Sequence, residues 1–306
     1  MKFLSLLALL LLEQVRPLRQ DNPLLAAFGR YARYLQGQFD GGDVRQGLIA
    51  WMVAVVPAVA VTVVVHRLLA GVHPFAALLW SVAVLYLTMG FRQFSHDYGE
   101  IHQALRDGNL AGARERLAKW RGESATELGA DEIARVAIEQ GLLASHRHVF
   151  GPIAWFVVLG PAGAVLYRSA SMLSDLWRSR GGPAASDFGR FAAQAFFWID
   201  WVPVRITAAS FGIVGDFEDA VYCWRTQAAA WNPPSDGILI AAGGGALGVR
   251  LGDTLHRYGT LDERPAMGMG EDADPDTMTS AVGLIWRSLV LWLFLVLMVT
   301  VAHALG

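Results

Sequence analysis

Long apolar runs separated by polar stretches set the organisation of this chain. Residues 48–65 carry no charge over 18 positions, and residues 75–91 form a second uncharged run after a short link. Each is nearly long enough to cross a ~30 Å hydrocarbon core as an α-helix, so the two predict an antiparallel pair of spans. Glycines and prolines interrupt the run 149–167 and predict a broken or re-entrant span, while residues 286–304 predict a C-terminal anchor.

Two further apolar segments have less regular features. Phe3 to Leu12 is too short for a span, and no small-residue cleavage site follows it, so it predicts a retained interfacial or partly inserted helix. Residues 191–214 are apolar enough to insert but contain Asp200 and Arg205. A charge at the centre of a span costs ~2.5–3.5 kcal/mol, so these side chains are expected to face an internal site; pairing with each other, or a position at the interface, is the alternative.

The polar region 92–148 carries eight Lys and Arg residues. It predicts a small helical insert, with helices near 96–106 and 110–120 and a third after Asp131, which can cap it. By the positive-inside tendency this insert should be cytoplasmic. If each span from residue 48 onward crosses the membrane once, the 168–190 loop lies outside the cell membrane. Its arginines then weaken the charge argument, and the orientation of the protein stays open.

The second polar region, 215–284, is rich in glycine and proline and predicts a polar loop region. Together these patterns predict an all-α, multi-pass transmembrane helical protein with four to five spans. Residues 1–306 then form a single integral membrane domain.

Composition agrees with the pattern. Hydrophobic residues make up 54% of the chain, charged residues 17%, and the mean hydropathy is +0.37, so the lipid bilayer is the expected solvent. Lys and Arg total 25 against 27 Asp and Glu, so the chain lacks the excess of positive charge that is typical of nucleic-acid-binding proteins. The only cysteine, Cys223, excludes an internal disulfide. The sequence leaves the oligomeric state open.

Three motifs suggest chemistry. The glycine-rich stretch containing Gly243, Gly244 and Gly245, followed by Arg250, is a candidate phosphate-binding turn, although it lacks the Lys-Ser/Thr of a P-loop. The acidic run 271–276 offers carboxylates for Mg²⁺, but a solvated loop is favoured. The histidines of the 146–148 triplet have no evident partner ligands and are interpreted as interfacial, so no metal site is assigned.

Several strings resemble successive blocks of the CobD/CbiB family in the same order, over about 90 to 290. They are Asn109–Arg114, Ala137–Glu139, Gly160–Arg168, Phe188–Arg190, Asp200–Arg205 and Ala246–Gly252. The resemblance implies a multi-pass protein of the bacterial inner (cytoplasmic) membrane that acts in cobalamin biosynthesis. It also implies an ATP-dependent ligase, requiring Mg²⁺, that joins aminopropanol or its phosphate to adenosylcobyric acid, a corrinoid substrate, as an amide.

Under this hypothesis the candidate catalytic residues Tyr167, Arg168, Asp200 and Arg205 line an internal site. Arginine suits a bidentate grip on carboxylate or phosphate, and Asp200 can orient an arginine or bind Mg²⁺. The glycines 243–245 and Arg250 would bind the phosphates of ATP.

Departures from the family pattern support a second hypothesis. The family has an acidic block where this chain has Leu143 to His148, and further carboxylate or amide positions differ at 171–175 and 232–235. The segment 143–148, together with 201–205 and 215–217, resembles AmpE instead. That resemblance implies a non-enzymatic membrane modulator of β-lactamase induction and envelope homeostasis, with Asp200 and Arg205 as a structural or sensing pair.

Overall fold

A computed structural model describes residues 2–15, 23–178, 187–257 and 260–305. The chain divides into two compact units. The first unit comprises Met1–Gly90, Arg147–Pro203 and Val296–Gly306, and the second comprises Phe91–His146 and Val204–Leu295. Each unit therefore combines segments that are distant in sequence.

Helices dominate the described residues, as the sequence predicts. In chain order they are α1 (Lys2–Val15), α2 (Pro23–Phe39), α3 (Val44–Val72), α4 (Pro74–Thr88), α5 (Phe91–Arg106), α6 (Leu110–Arg121), α7 (Ala130–Ser145), α8 (Gly151–Leu159), α9 (Pro161–Leu176), α10 (Phe188–Val214), α11 (Phe217–Gln227), α12 (Pro234–Leu247) and α13 (Pro275–Leu305). A π-helical turn, His146–Phe150, joins α7 to α8, and a 3₁₀ turn, Ala228–Ala230, follows α11.

Short strands occur only near the end of the second unit within the described part of the chain. They are β1 (Val249–Gly252), β2 (Leu255–Arg257), β3 (Thr260–Asp262), β4 (Ala266–Gly268) and β5 (Glu271–Asp272). Strand β1 pairs antiparallel with β4 and parallel with β5, and β2 pairs antiparallel with β3. The fold is a helical membrane protein with very little sheet.

Four helical stretches are long and apolar enough to cross a membrane: Val44–Val72, Ala130–Leu159, Phe188–Val214 and Pro275–Ala302. Helices α1 and α4 are apolar but shorter. Large side chains such as Ile49, Val61 and Leu68 remain exposed along α3, as a lipid-facing helix requires. The chain is therefore a multi-pass membrane protein.

The junction of α3 and α4 is a single residue. The Nδ1 atom of His73 accepts a hydrogen bond from the backbone N–H of Phe75 at 3.1 Å, and Pro74 occupies the first turn of α4, where a missing N–H costs nothing. At the other end of α3, the side chain of Asp43 accepts from the N–H of Arg45 at 3.1 Å. Pro57 lies inside the helix.

The interruption expected within 149–167 is a break at Gly160. This residue has φ +67°, a left-handed value that favours glycine, and Pro161 then begins α9. Upstream the structure differs from the sequence interpretation, because the third helix of the polar insert continues into α8 as one apolar stretch. The apolar residues Ile133, Val136 and Leu142 are fully or almost fully buried, so the third helix of the region 92–148 has a buried apolar face beside its polar side chains.

The first two helices of the insert lie where the sequence predicts them. Asn109 caps α6 by accepting from the N–H of Gly112 at 2.9 Å, and Gly122 ends α6 with φ +73°. The predicted cap of α7 is wrong. Asp131 is exposed, and the carboxylate of Glu132 instead accepts from the N–H of Gly129 at 2.7 Å.

The region 215–284 is not a loop region. It contains α11, α12, the five strands and the start of α13. The glycine-rich sequence suggested turns, but in α12 the missing side chains allow close approach to neighbouring backbone. Residues 237–246 of that helix are buried.

Candidate functional site

Asp200 and Tyr167 form a buried hydrogen bond in the first unit. The phenol oxygen of Tyr167 donates to Oδ1 of Asp200 at 2.8 Å, linking α9 to α10. Asp200 is 4% exposed and Tyr167 fully buried. A buried carboxylate requires hydrogen-bond donors, so this contact offsets part of its desolvation.

Local sequence fixes the ring of Tyr167. A side chain at Gly151 would collide with that ring, so glycine leaves the space it occupies. Phe196 meets the ring edge to face, with centroids 5.5 Å apart. One turn of α8 further on, the indole N–H of Trp155 donates to the carbonyl of Ile199 at 3.0 Å, which holds α8 beside α10.

Arg168 extends this group of polar side chains. Its Nη1 lies 3.0 Å from Nδ1 of His148, so the imidazole nitrogen accepts from the guanidinium. The Nε atom of Arg168 is buried and has no hydrogen-bond partner in the described structure. An unpaired guanidinium N–H in a buried place is costly, and an anionic ligand would satisfy it.

Arg147 and Asp175 complete the group. Their side chains form an ion pair of 3.7 Å, and the charges of Arg147 and Arg168 both act on Tyr167. We call Arg147, His148, Tyr167, Arg168, Asp175 and Asp200 the arginine cluster. It carries two guanidinium and two carboxylate charges, which suits a ligand with groups of both signs.

The structure brings Tyr167, Arg168 and Asp200 into one unit, but Arg205 belongs to the other. Arg205 is half-buried on α10, five residues beyond Asp200 and past Pro203. The sequence prediction that Arg205 shares the internal site therefore stays a prediction.

The glycine-rich stretch does not form the predicted phosphate-binding turn. Gly243, Gly244 and Gly245 lie inside α12, where helical hydrogen bonds use their backbone N–H groups. Added side chains there would collide with Leu142, with the backbone of Gly268 and with Asp219. These glycines allow close packing of α12, and they do not form the anion-binding turn that the sequence predicted.

Arg250 lies on β1 at the surface. Its guanidinium pairs with Oδ1 of Asp272 at 2.9 Å, and both side chains are exposed. Other acidic residues of the 271–276 run have structural roles, since Asp274 caps α13 and Asp276 pairs with Arg106 at 3.1 Å. Within the described residues, no group of three or more His, Cys, Asp or Glu side chains could hold a metal ion.

Sequence reasoning missed a buried ion pair in the second unit. Glu139 accepts from Nη1 and Nη2 of Arg264 at 2.7 and 3.1 Å, and it also accepts from the N–H of Gly252 at 2.8 Å. Arg264 further donates to the carbonyls of Gly252 and Asp253 and stacks 5.3 Å from Trp231. The available signal was Glu139 itself, a carboxylate in the mainly apolar second half of α7.

The histidine triplet is also more buried than expected. His146 is 1% exposed, and its Nδ1 lies 3.0 Å from the hydroxyl of Thr207 in the second unit. His148 contacts Arg168 in the first unit. The triplet therefore supplies polar contacts inside the protein.

These features define a multi-pass helical membrane protein with a cluster of arginine, tyrosine and carboxylate side chains around the buried pair of Tyr167 and Asp200. The chain belongs to the CobD/CbiB family. A sequence model of that family, described as CobD/Cbib protein, matches residues 17–285.

Individual relatives agree with this assignment. The cobalamin biosynthesis protein CobD of Stutzerimonas stutzeri (strain A1501) is 33% identical over 299 residues, which cover 96% of this chain and 97% of the relative. The protein of the same name from Chromobacterium violaceum is 36% identical over 219 residues, 72% of this chain and 70% of the relative. No solved structure matches the chain.

Proposed function

We propose that this protein acts in cobalamin biosynthesis in the bacterial inner membrane. There it would join the amine of aminopropanol, or of its phosphate, to a carboxylate of adenosylcobyric acid as an amide. The observation that carries this proposal is the similarity to a protein named cobalamin biosynthesis protein CobD over 96% of the chain.

The arginine cluster supports the same chemistry. Amide formation brings together a carboxylate and an amine, and both are charged in water at neutral pH. Arg168, with its unpaired buried Nε, binds the carboxylate or a phosphate oxygen of the substrate. Asp200 supplies the negative charge that attracts the ammonium group, while Tyr167 holds the Asp200 carboxylate in place.

Family resemblance implies that ATP and Mg²⁺ drive this condensation. Of the residues that the sequence suggested for the phosphates, Gly243 to Gly245 are buried in a helix, whereas Arg250, which pairs with Asp272 at the surface, stays a candidate. The proposal therefore assigns to the arginine cluster only substrate binding and orientation.

Complementation tests the proposal. A strain lacking the corrinoid amide synthase is supplied with cobyric acid as its corrinoid source, and it expresses this protein or its Asp200→Asn variant. Growth with the natural chain and loss of growth with the variant are expected, because the amide has nearly the shape of the carboxylate but no charge to attract the amine.

Asp187→Asn is the matched control. It removes the same charge from an exposed residue of the first unit, where Asp187 pairs with Arg190 at 3.1 Å. Growth should be unaffected. Absence of growth with the natural chain, at normal membrane abundance, would contradict the proposed reaction.

A second candidate function is a non-enzymatic modulator of the AmpE kind. The observation that favours it is the basic triplet 146–148, which replaces the acidic block of the synthase pattern and puts Arg147 where that pattern has a carboxylate; Arg147 and His148 both lie in the arginine cluster. This function predicts that deletion changes the β-lactam response while corrinoid use stays intact. The reverse phenotype would refute it.

A further inference from the structure

A cavity of about 330 Å³ lies in the first unit, away from the residues assigned to substrate binding. Helices α1, α3 and α4 and the junction of α8 and α9 surround it. Its lining is mainly apolar and includes Ala70, Leu78 and Phe156. Lys2 and His66, however, contribute polar groups to the same cavity.

Those two side chains make the cavity suitable for an anion. The ammonium of Lys2 donates one hydrogen bond to the carbonyl of Val157 at 2.6 Å, and an ammonium has three N–H groups. The Nδ1 atom of His66 is buried without a hydrogen-bond partner in the described structure. No Asp or Glu is present among the described lining residues.

The helix break adds to this positive environment. Gly160 and Pro161 both line the cavity, and Pro161 is the first residue of the 16-residue helix α9. The N-terminus of a helix carries the positive end of its dipole and favours a nearby anion. The break in the third apolar run therefore directs a helix N-terminus to the cavity that Lys2 and His66 also line.

The sequence positions of the two residues indicate membrane depth. Lys2 directly precedes the apolar stretch 3–12, and His66 directly follows the uncharged run 48–65. Both therefore lie at an edge of the hydrocarbon layer, where the phosphates of lipid headgroups are found and where basic side chains extend towards them. The apolar part of the lining suits an acyl chain.

We propose that this cavity binds the headgroup phosphate of an anionic membrane phospholipid. Lys2 and His66 contact the phosphate oxygens, and the start of one acyl chain lies along Ala70, Leu78 and Phe156. A net-negative lipid is favoured over a zwitterionic one because the cavity offers positive charge and no carboxylate for a choline group.

Native mass spectrometry of the full-length protein in detergent tests this site. Phosphatidylglycerol, phosphatidylcholine or inorganic phosphate is added, and the fraction of protein with one bound molecule is measured. We expect one tightly retained phosphatidylglycerol and weaker retention of phosphatidylcholine. Lys2→Gln should weaken phosphatidylglycerol binding about tenfold, the effect of losing one charge-assisted contact.

Two further variants control for changes in folding and overall charge. Ala70→Phe leaves both basic residues in place but fills the apolar part of the cavity, and it should also reduce retention. Arg30→Gln removes an exposed positive charge from α2 and should leave lipid binding unchanged. Equal retention by all variants, or equal retention of the two lipids, would overturn the proposal. Displacement of the lipid by millimolar inorganic phosphate would overturn its assignment to a lipid.

Discussion

Two buried carboxylates, one in each unit, have different surroundings. In the second unit, Glu139 receives two hydrogen bonds from Arg264 and one from the N–H of Gly252. All three guanidinium nitrogens of Arg264 have acceptors. In the first unit, Asp200 accepts from Tyr167, and Arg168, the next residue of α9, has a buried Nε without an acceptor in the described structure.

This difference separates a structural ion pair from a candidate binding site. A buried pair in which every guanidinium nitrogen already has an acceptor stabilises one arrangement of the chain. A buried arginine with an unpaired N–H has a free-energy penalty that an anionic substrate can remove. The sequence analysis noted Asp200 as a charge in an apolar segment and left Glu139 within a polar region, so the contacts in the structure are what distinguish the two roles.

Breaking the Glu139 and Arg264 pair should produce the largest effect. Glu139→Ala leaves the Arg264 guanidinium, 12% exposed, without its carboxylate. The expected loss is about 3–5 kcal/mol in the free energy of unfolding, because a buried charge then has no counter-ion. Reversible unfolding in mixed detergent and dodecyl sulfate micelles measures it.

The exposed pair of Arg250 and Asp272 is the control. Asp272→Ala should change the free energy of unfolding by less than about 1 kcal/mol, since water replaces the lost contact. If the two variants differ little, the Glu139 pair does not have the structural role assigned to it.

Replacing Arg168 should affect activity more than stability. Arg168→Gln is expected to lower the rate of amide formation by about 10- to 100-fold, the loss of one charge-assisted contact with substrate. Arg168→Lys keeps the charge but loses the guanidinium fork, so only part of the rate should return. Product formed per amount of membrane-inserted protein gives the comparison.

The same unfolding measurement tests whether Arg168 is structural. Because the Nε group already lacks a partner, Arg168→Gln breaks no ion pair as close as that of Glu139 with Arg264. It removes the contact with His148 and the charge that acts on Tyr167, and it should be far less destabilising than Glu139→Ala. A loss of stability equal to that of Glu139→Ala would remove the distinction between the two units.

Two tyrosines allow a smaller test of the same distinction. Tyr167 donates to a carboxylate at 2.8 Å, and Tyr98 in the second unit donates to the carbonyl of Met278, also at 2.8 Å. Tyr167→Phe should cost about 2 kcal/mol and Tyr98→Phe about 1 kcal/mol, because hydrogen bonds to charged acceptors contribute more. Equal costs would indicate that the charge of Asp200 is balanced without Tyr167.

Hydrophobic periodicity was sufficient for the helical class of the fold. Uncharged runs such as 48–65 lie within the long helix α3, and the polar insert forms helices where turn residues separate them. Burial inside the protein was harder to predict. Most residues of 133–144 are buried within the second unit, although the charges of the region 92–148 predicted a polar insert.

Glycine ends a helix at one place in this chain and continues a helix at another, and hydrophobic periodicity does not distinguish the two cases. At Gly160 the positive φ ends a helix, as the neighbouring proline suggested. At Gly243 to Gly245 the glycines continue a helix, because Leu142, Gly268 and Asp219 approach too closely for any side chain. Asp200 was chosen as a charge in an apolar segment and Arg168 from the family resemblance. The pairing of Arg264 with Glu139 could not be predicted in either way, because it joins positions 125 residues apart.

The smallest expected effect concerns a helix cap. Asp274 accepts from the backbone N–H of Thr277 at 2.7 Å, and the hydroxyl of Thr277 accepts from the N–H of Asp274 at 2.8 Å, so the two residues cap the start of α13. Asp274→Ala should lower the free energy of unfolding by about 1 kcal/mol. Asp276→Ala, which removes an exposed carboxylate two positions later, is the matched control and should have a smaller effect.

The pH dependence of the same cap gives a second result. The backbone hydrogen bond from Thr277 is the main reason that the pKa of Asp274 is lower in the folded protein than in the unfolded chain, where it is about 3.9. A lowered folded pKa means that the stabilisation is complete above the unfolded pKa and is lost as pH falls through the folded pKa. The stability difference between the natural protein and Asp274→Asn should therefore shrink on acidification below about pH 4. A difference that stays constant over that range would show that the cap does not depend on the carboxylate charge.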